Sequence, residues 1–257
     1  MDIRGKAAVV TGATRGVGRA TALALAQGGC HVLVNYSVSK QQAEEVAAEV
    51  AKLGVKAAPF KCDVHEDAQC RAMMDFAQKT FGRLDVLVNN AGTTQFIAHS
   101  NLDAVTDEVW DRILGVNLRG SFYCVRAARP HMEKSGGGAV VNVTSVAGVA
   151  GVGSSIPYCC SKAALNNLTV TLARALGPKI RVNAVAPGFI EGEWLKQGFG
   201  ERYAQVKAVN EARSVTGRVS QPDDIAAAIM SFITGSEQVT GQVLTVDGGY
   251  LIGPKIS

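Results

Sequence analysis

Three of the five tyrosines, Tyr36, Tyr158 and Tyr203, have a lysine four residues on, at Lys40, Lys162 and Lys207. On a helix that spacing puts phenol and ammonium on one face, where the pair can give or take a proton. Tyrosine alone is a poor base at neutral pH. A cation about 4 Å away, at an effective dielectric of about 20, favours phenolate by about 4 kcal/mol, roughly three pKa units. The spacing therefore predicts that Lys162 lowers the Tyr158 pKa. Tyr158 alone of the three has a serine, Ser145, 13 residues upstream; the matching positions for Tyr36 and Tyr203 are Leu23 and Ile190. Tyr36 and Tyr203 are expected to be structural or lid residues.

A second group of residues suits an anion. Thr11-Gly12-Ala13-Thr14-Arg15-Gly16-Val17-Gly18 follows an apolar run and opens a helical pattern. Glycines there permit a tight turn and let backbone N–H groups face a phosphate. The spacing is G-x-x-x-G-x-G rather than the G-x-G-x-x-G fingerprint, so a ligand-free strand-to-helix turn stays open. Glycine is in excess throughout: 28 of 257 residues, about 11% against a usual 7% or so.

These groups must be carried by alternating strands and helices. Apolar, β-branched runs at 6–11, 30–35, 57–61, 85–89, 139–144, 180–186 and 243–246 predict parallel strands buried on both faces. Between them Ala43, Val46, Ala47, Val50 and Leu53 mark one helix face, and Ile225, Ala228, Ile229 and Phe232 another. The expected fold is α/β: a single-domain, doubly wound, Rossmann-type parallel sheet of seven strands with helices on both faces, spanning 1–257. Ser145 then falls at the carboxyl edge, where such sheets bind ligands. Residues 187–221 show no clear strand but combine glycines with Phe189, Trp194, Phe199 and Tyr203. That composition predicts a substrate lid over 188–217, with a surface helical insertion as the alternative.

Composition narrows the function classes. Hydrophobic residues make up 47% and charged residues 19%, which excludes a disordered chain. No run reaches the roughly 18 apolar residues of a membrane span, and the N-terminus lacks an export pattern, so a cytoplasmic protein without a membrane partner is expected. The six cysteines are then expected to stay reduced. Cys62, His65 and Cys70 lack a second ligand pair at zinc spacing, so no metal is expected. The net charge of +4 is scattered rather than clustered, which points to a small anionic ligand and away from nucleic acid.

Taken in order along the chain, these motifs resemble the short-chain dehydrogenase/reductase family, whose nucleotide loop is written T-G-x-x-x-G-x-G. The resemblance continues through Asn89-Asn90-Ala91-Gly92, Asn117, Ser145, Tyr158-x-x-x-Lys162, Pro187-Gly188 and Asp247-Gly248-Gly249, and covers nearly the whole chain. Within the family it is similar to the 3-oxoacyl-(acyl carrier protein) reductases. The resemblance implies an oxidoreductase that interconverts a ketone and a secondary alcohol by hydride transfer with a nicotinamide cofactor. Tyr158 would be the acid/base, Lys162 would hold the ribose, Ser145 would bond the reacting oxygen and Asn117 would support a proton-relaying water. A core-bonded asparagine is the other reading of Asn117. The resemblance places Thr11, Gly12, Thr14, Arg15, Gly16, Val17 and Gly18 along the dinucleotide, with Asp63 and Val64 at the adenine and Asn89, Ala91 and Gly92 beside the adenosine. Pro187, Gly188 and Ile190 would line the nicotinamide. For Asp63 a helix N-cap competes. The family often has a threonine at the position of Gly192, so carboxamide anchoring is in question here.

No acid stands at Val34-Asn35-Tyr36-Ser37, where a ribose-binding carboxylate belongs. Arg15 occupies the position of the basic residue that meets a 2′-phosphate in family members preferring NADP. NADP(H) is therefore expected, with Asn35 and Ser37 as supporting contacts, and NAD(H) with a solvated Arg15 as the alternative. Ser135-Gly136-Gly137-Gly138 stands where carrier-docking relatives place basic residues, so a neutral, partly apolar ketone is favoured over a carrier-bound one. An NAD-dependent alcohol, sugar or steroid dehydrogenase is the rival within the family, and a non-catalytic NADP(H)-binding regulator the rival outside it. Relatives form tetramers. Val125, Ala128, Met132, Ala163, Ala164, Leu168 and Leu172 are expected to pack across a two-fold axis, or else to cover the sheet.

Overall fold

The computed structural model describes residues 1–253. Seven parallel strands form one sheet: β1 (Ala7–Val10), β2 (His31–Tyr36), β3 (Ala57–Lys61), β4 (Val86–Asn89), β5 (Gly138–Val143), β6 (Ile180–Pro187) and β7 (Val243–Val246). Their spatial order is β3-β2-β1-β4-β5-β6-β7, so the winding reverses between β1 and β4. At such a switch point the loops leaving the carboxyl ends diverge and open a crevice.

Alternation along each strand makes two cores. Ala8, Val10, Val32, Val34, Val86 and Val88 face α1 (Gly16–Gln27), α2 (Lys40–Ala51) and the last long helix. Ala7, Val9, Leu33, Leu87 and Val140 face the other side, against α3 (Asp67–Phe81) and the central helices. On that side α4 (Asp107–Leu114) runs into one π-helical turn, Gly115–Gly120, and then α5 (Ser121–Lys134). Next come α6 (Ala147–Ala150), α7 (Ile156–Leu176), α8 (Glu193–Phe199), α9 (Tyr203–Arg213) and α10 (Pro222–Thr234). Gln221 and Asp224 close a capping box ahead of α10.

Three expectations change. The edge strands are not buried on both faces: β3 is half-buried and carries Pro59, and in β7 Leu244 is 43% exposed. Each pairs on one side only, and proline is tolerated at a sheet edge because the missing N–H faces outward. Leu53 lies past the end of α2 and is exposed. Val125, Ala128, Met132 and Leu172, expected across a two-fold axis, are buried inside the subunit and cover the sheet. The outward positions of those helices are instead Phe122, Arg126 and Arg129 on α5 and Ala163, Asn167 and Thr171 on α7. Among the described residues no helix is long and apolar enough to cross a membrane.

Candidate functional site

Every candidate residue lies at or just beyond the carboxyl end of a strand, or on a helix that this edge faces. The β1–α1 turn is tied down from three sides. Thr11 Oγ1 accepts the backbone N–H groups of Asn90 (3.0 Å) and Ala91 (2.9 Å) and donates to the Val88 carbonyl. Asn90 Nδ2 donates to the carbonyls of Thr11 and Gly12, both at 2.9 Å. Asn35 Oδ1 accepts the Gly12 N–H at 3.0 Å. Gly12 and Gly16 have φ of +60° and +54°, a left-handed backbone that favours glycine. A Cβ at Gly18 would collide with the Gly12 carbonyl, so the third glycine lets helix and loop touch. Around Gly16 the space is open, and Arg15 at the N-cap gives no side-chain hydrogen bond to the first turn of α1. The turn thus offers unpaired backbone donors at a helix N-terminus beside empty space, which fits a pyrophosphate. Thr14 and Val17 are half-buried on its flanks.

Two expected contacts differ at the nucleotide end. Asn35 is buried, and its Nδ2 donates toward the carbonyls of Tyr36, Phe60 and Cys62, so the side chain clamps the loop and does not reach a phosphate. Asn89 is also turned inward, donating to Asn142 Oδ1 (2.9 Å) and toward the Ser121 carbonyl. Ser37 and Arg15 are exposed, and among the described residues Arg15 has no ion-pair partner. The backbone bond from Ala13 to the Asn35 carbonyl brings their two loops together. Asp63 does not cap a helix, since the N-cap of α3 is Glu66. Its carboxylate accepts the His65 N–H (3.0 Å) and Arg112 (3.1 Å), which hold its pKa below the usual range against the effect of burial. Val64 packs into the space left by Gly120 in the π turn.

That π turn carries Asn117, fully buried. Its Oδ1 accepts the Thr93 N–H at 2.8 Å, and its Nδ2 donates to the Thr93 carbonyl and to Ser161 Oγ, both at 3.0 Å. The amide therefore fastens the loop after β4 to α7, as the core-bonded reading of Asn117 has it. A π turn inside a helix frequently marks a functional site.

Tyr158 and Lys162 lie one turn apart on α7, both buried. Lys162 Nζ donates to the Val143 carbonyl at 2.8 Å, sits 5.7 Å from the centre of the Tyr158 ring, and lies beside Gly92, where a Cβ would stand 3.6 Å away. Ser145 follows β5; its Oγ accepts the Ala147 N–H at 3.1 Å, and it favours the ionised form of the phenol. Against the expectation, the phenol is not depressed. Burial pushes it up to about 12, outweighing the contact with Ser145. Burial also lowers Lys162 to about 8. A charge on either group loses its hydration, and that loss sets the direction of both shifts.

Beyond β6, Gly188 donates its N–H to the Val246 carbonyl and leaves no room for a Cβ against Asp247. Pro187 accepts the Val146 N–H at 2.9 Å, and Ile190 bridges Ser220. Residues 188–217, expected as a lid, form α8, a short 3-10 turn and α9, and these elements bury none of their residues. Phe199 stacks on Phe189 (6.2 Å) and meets Phe96 edge-on (5.3 Å), while Tyr203 packs on Phe189. Lys207, the third lysine of the Tyr-x-x-x-Lys set, pairs with Glu191 at 2.9 Å.

Residues 12–251 match the protein family described as enoyl-(acyl carrier protein) reductase. A ketoacyl reductase assigned to the granaticin polyketide synthase of Streptomyces violaceoruber is 42% identical over 94% of each chain. The 3-oxoacyl-(acyl carrier protein) reductase of Thermotoga maritima is 36% identical over 98% of this chain and all of its own. The chain belongs to the short-chain dehydrogenase/reductase family. A crystal structure from Burkholderia xenovorans, assigned to the same family, superposes with a TM-score of 0.89 at 37% identity, covering 96% of this chain and 98% of its own. The enzyme is an oxidoreductase of the class acting on CH–OH and C=O groups.

Sequence reasoning missed the weight of Asn90 and Thr93. Asn90 was legible only as part of the motif, and nothing in the sequence marks Thr93 as the partner of Asn117.

Proposed function

We propose that the enzyme is an NADP(H)-dependent ketoreductase that interconverts a neutral, partly apolar ketone and its secondary alcohol. The observation that carries this reading is a buried tyrosine, protonated at neutral pH, beside Ser145 and a buried lysine at the carboxyl edge of the sheet. The glycine turn, Gly92, Gly188 and Ile190 would hold the dinucleotide, with Asp63 and the Val64 backbone at its adenine end. When bound, the nicotinamide supplies or accepts a hydride at C4. Tyr158 gives its phenolic proton to the carbonyl oxygen during reduction and takes it back during oxidation, and Ser145 bonds the same oxygen. Lys162 supplies the positive charge that stabilises the phenolate left behind. Asn117 acts by holding the loop that carries Gly92 against α7.

The ketoacyl and 3-oxoacyl reductases among its relatives favour carbonyl reduction, and two hydroxyl donors side by side suit an oxygen better than a C=C bond. Arg15, exposed beside the glycine turn, favours NADP(H). Residues 188–217 act as the substrate lid of a single domain, and the outward faces of α5 and α7 with the edge strand β7 serve a homotetramer in the cytoplasm. The test is consumption of NADPH, followed by its ultraviolet absorbance, with a panel of ketones and acetoacetyl thioesters, run beside NADP⁺ or NAD⁺ with secondary alcohols. Turnover with one arm is expected. Tight NADPH binding without any turnover would overturn the reading in favour of a non-catalytic regulator.

A further inference from the structure

Trp194 stands in the first turn of α8 with 41% of its surface exposed. Its ring centre lies 6.2 Å from that of Tyr158, tilted by 57°. Among the described residues no other aromatic ring packs on it. The opposite end of α8 is held separately: Phe199 packs on Phe96 and Phe189, and Gly198 is pressed so closely to the Phe96 ring that no Cβ would fit. Docking of α8 therefore does not depend on the indole. Two residues before it, a Cβ at Gly192 would meet nothing within 4 Å. Across Tyr158, Gly153 lies against the phenol ring, in a segment that also bears the exposed Val149 and Val152. A large apolar face is thus left exposed beside the proton-transfer group.

We propose that Trp194 determines specificity by stacking on a flat ring conjugated to the reacting carbonyl, so that the preferred substrates are aryl or cyclic conjugated ketones and not short linear β-ketoacyl groups. This rests on the ketoreductase reading above and deepens it. Stacked or tilted aromatic pairs gain interaction beyond the area they bury, and only a substrate carrying a ring can draw on it.

The test compares ethyl benzoylacetate, which carries an aryl ring, with ethyl acetoacetate, which does not, on the wild type, Trp194→Ala and Trp194→Phe. Trp194→Ala is expected to raise KM for the aryl ketone at least about fivefold, with Trp194→Phe recovering most of the loss. The linear ketone should change less than about twofold, a range smaller than one aromatic contact. Equal changes for both ketones, or none for either, would overturn the assignment. If the wild type turns over neither these ketones nor any of the panel above, the ketoreductase reading fails on its own, and a binding readout still decides about Trp194. The chain has two tryptophans, Trp110 and Trp194. With NADP⁺ present, the aryl ketone should quench tryptophan emission in the wild type and not in Trp194→Phe, where Trp110 remains. Quenching that survives the substitution, or is absent from both, would overturn the proposal.

Discussion

Lys162 holds its ammonium 5.7 Å from the centre of the Tyr158 ring and hydrogen-bonds the Val143 carbonyl at 2.8 Å. Burial drives the two groups in opposite directions, the phenol up to about 12 and the ammonium down to about 8. At neutral pH the pair therefore stands as neutral phenol and charged ammonium. That is the state required to donate a proton to a carbonyl oxygen.

Tyr158→Phe removes this donor and almost no volume. Folding and NADPH affinity are expected to change little, while kcat falls at least about 10³-fold, because general acid catalysis and polarisation of the oxygen are lost together. Tyr203→Phe is the control. Its hydroxyl is buried without a hydrogen-bond partner among the described residues, so the substitution should leave kcat near the wild-type value. A Tyr158→Phe enzyme retaining more than about a tenth of wild-type kcat would remove Tyr158 from the chemistry.

For ketone reduction, kcat/KM should hold level through neutral pH and fall as pH rises past about 8, where Lys162 loses its charge. The sign follows from the buried cation: its lowered pKa brings the neutral form within reach, and the neutral form no longer stabilises the developing phenolate. The phenol, at about 12, keeps its proton across this range. A pH–rate profile of the wild type beside Lys162→Met measures it. The variant should be slow at every pH and lack the alkaline limb. A limb of the same position in both would assign it to another group.

Arg15→Ala should raise the KM for NADPH roughly 10- to 150-fold, the value of one charge-assisted hydrogen bond, and leave the KM for NADH nearly unchanged. Steady-state kinetics with both cofactors reads the ratio. Equal effects would mean that the exposed guanidinium touches no 2′-phosphate.

Much of the fold was legible because strands buried on both faces leave nearly unbroken apolar runs, and all seven ran within one residue of their expected ends. The proposed Ser145–Tyr158 pair was legible through the family resemblance, and the structure brings the end of β5 and the helix α7 that carry them together. Asn35 and Asn89 were harder to read. Each lies at the end of a strand facing the crevice, but its side chain turns to carbonyls and amides supplied by Phe60, Ser121 or Asn142, residues 25 to 53 positions away in sequence. Local pattern carries no record of such partners. The same holds for the phenol: spacing shows how near a lysine is along a helix, whereas burial depends on everything packed around it.

The hydrogen bonds that Thr11, Asn35 and Asn90 make to the glycine turn set it apart from α8 and α9, which bury none of their residues. A ligand entering the turn meets donors whose geometry is already fixed, so little ordering entropy is lost on its arrival. A ligand that touches Trp194 instead meets a helix held at its far end, where Phe199 and Gly198 pack on Phe96 and Phe189. Backbone amides of the two regions should differ just as sharply in solvent exchange, with the turn protected to nearly the global unfolding limit and α8–α9 opening on their own while the sheet stays intact.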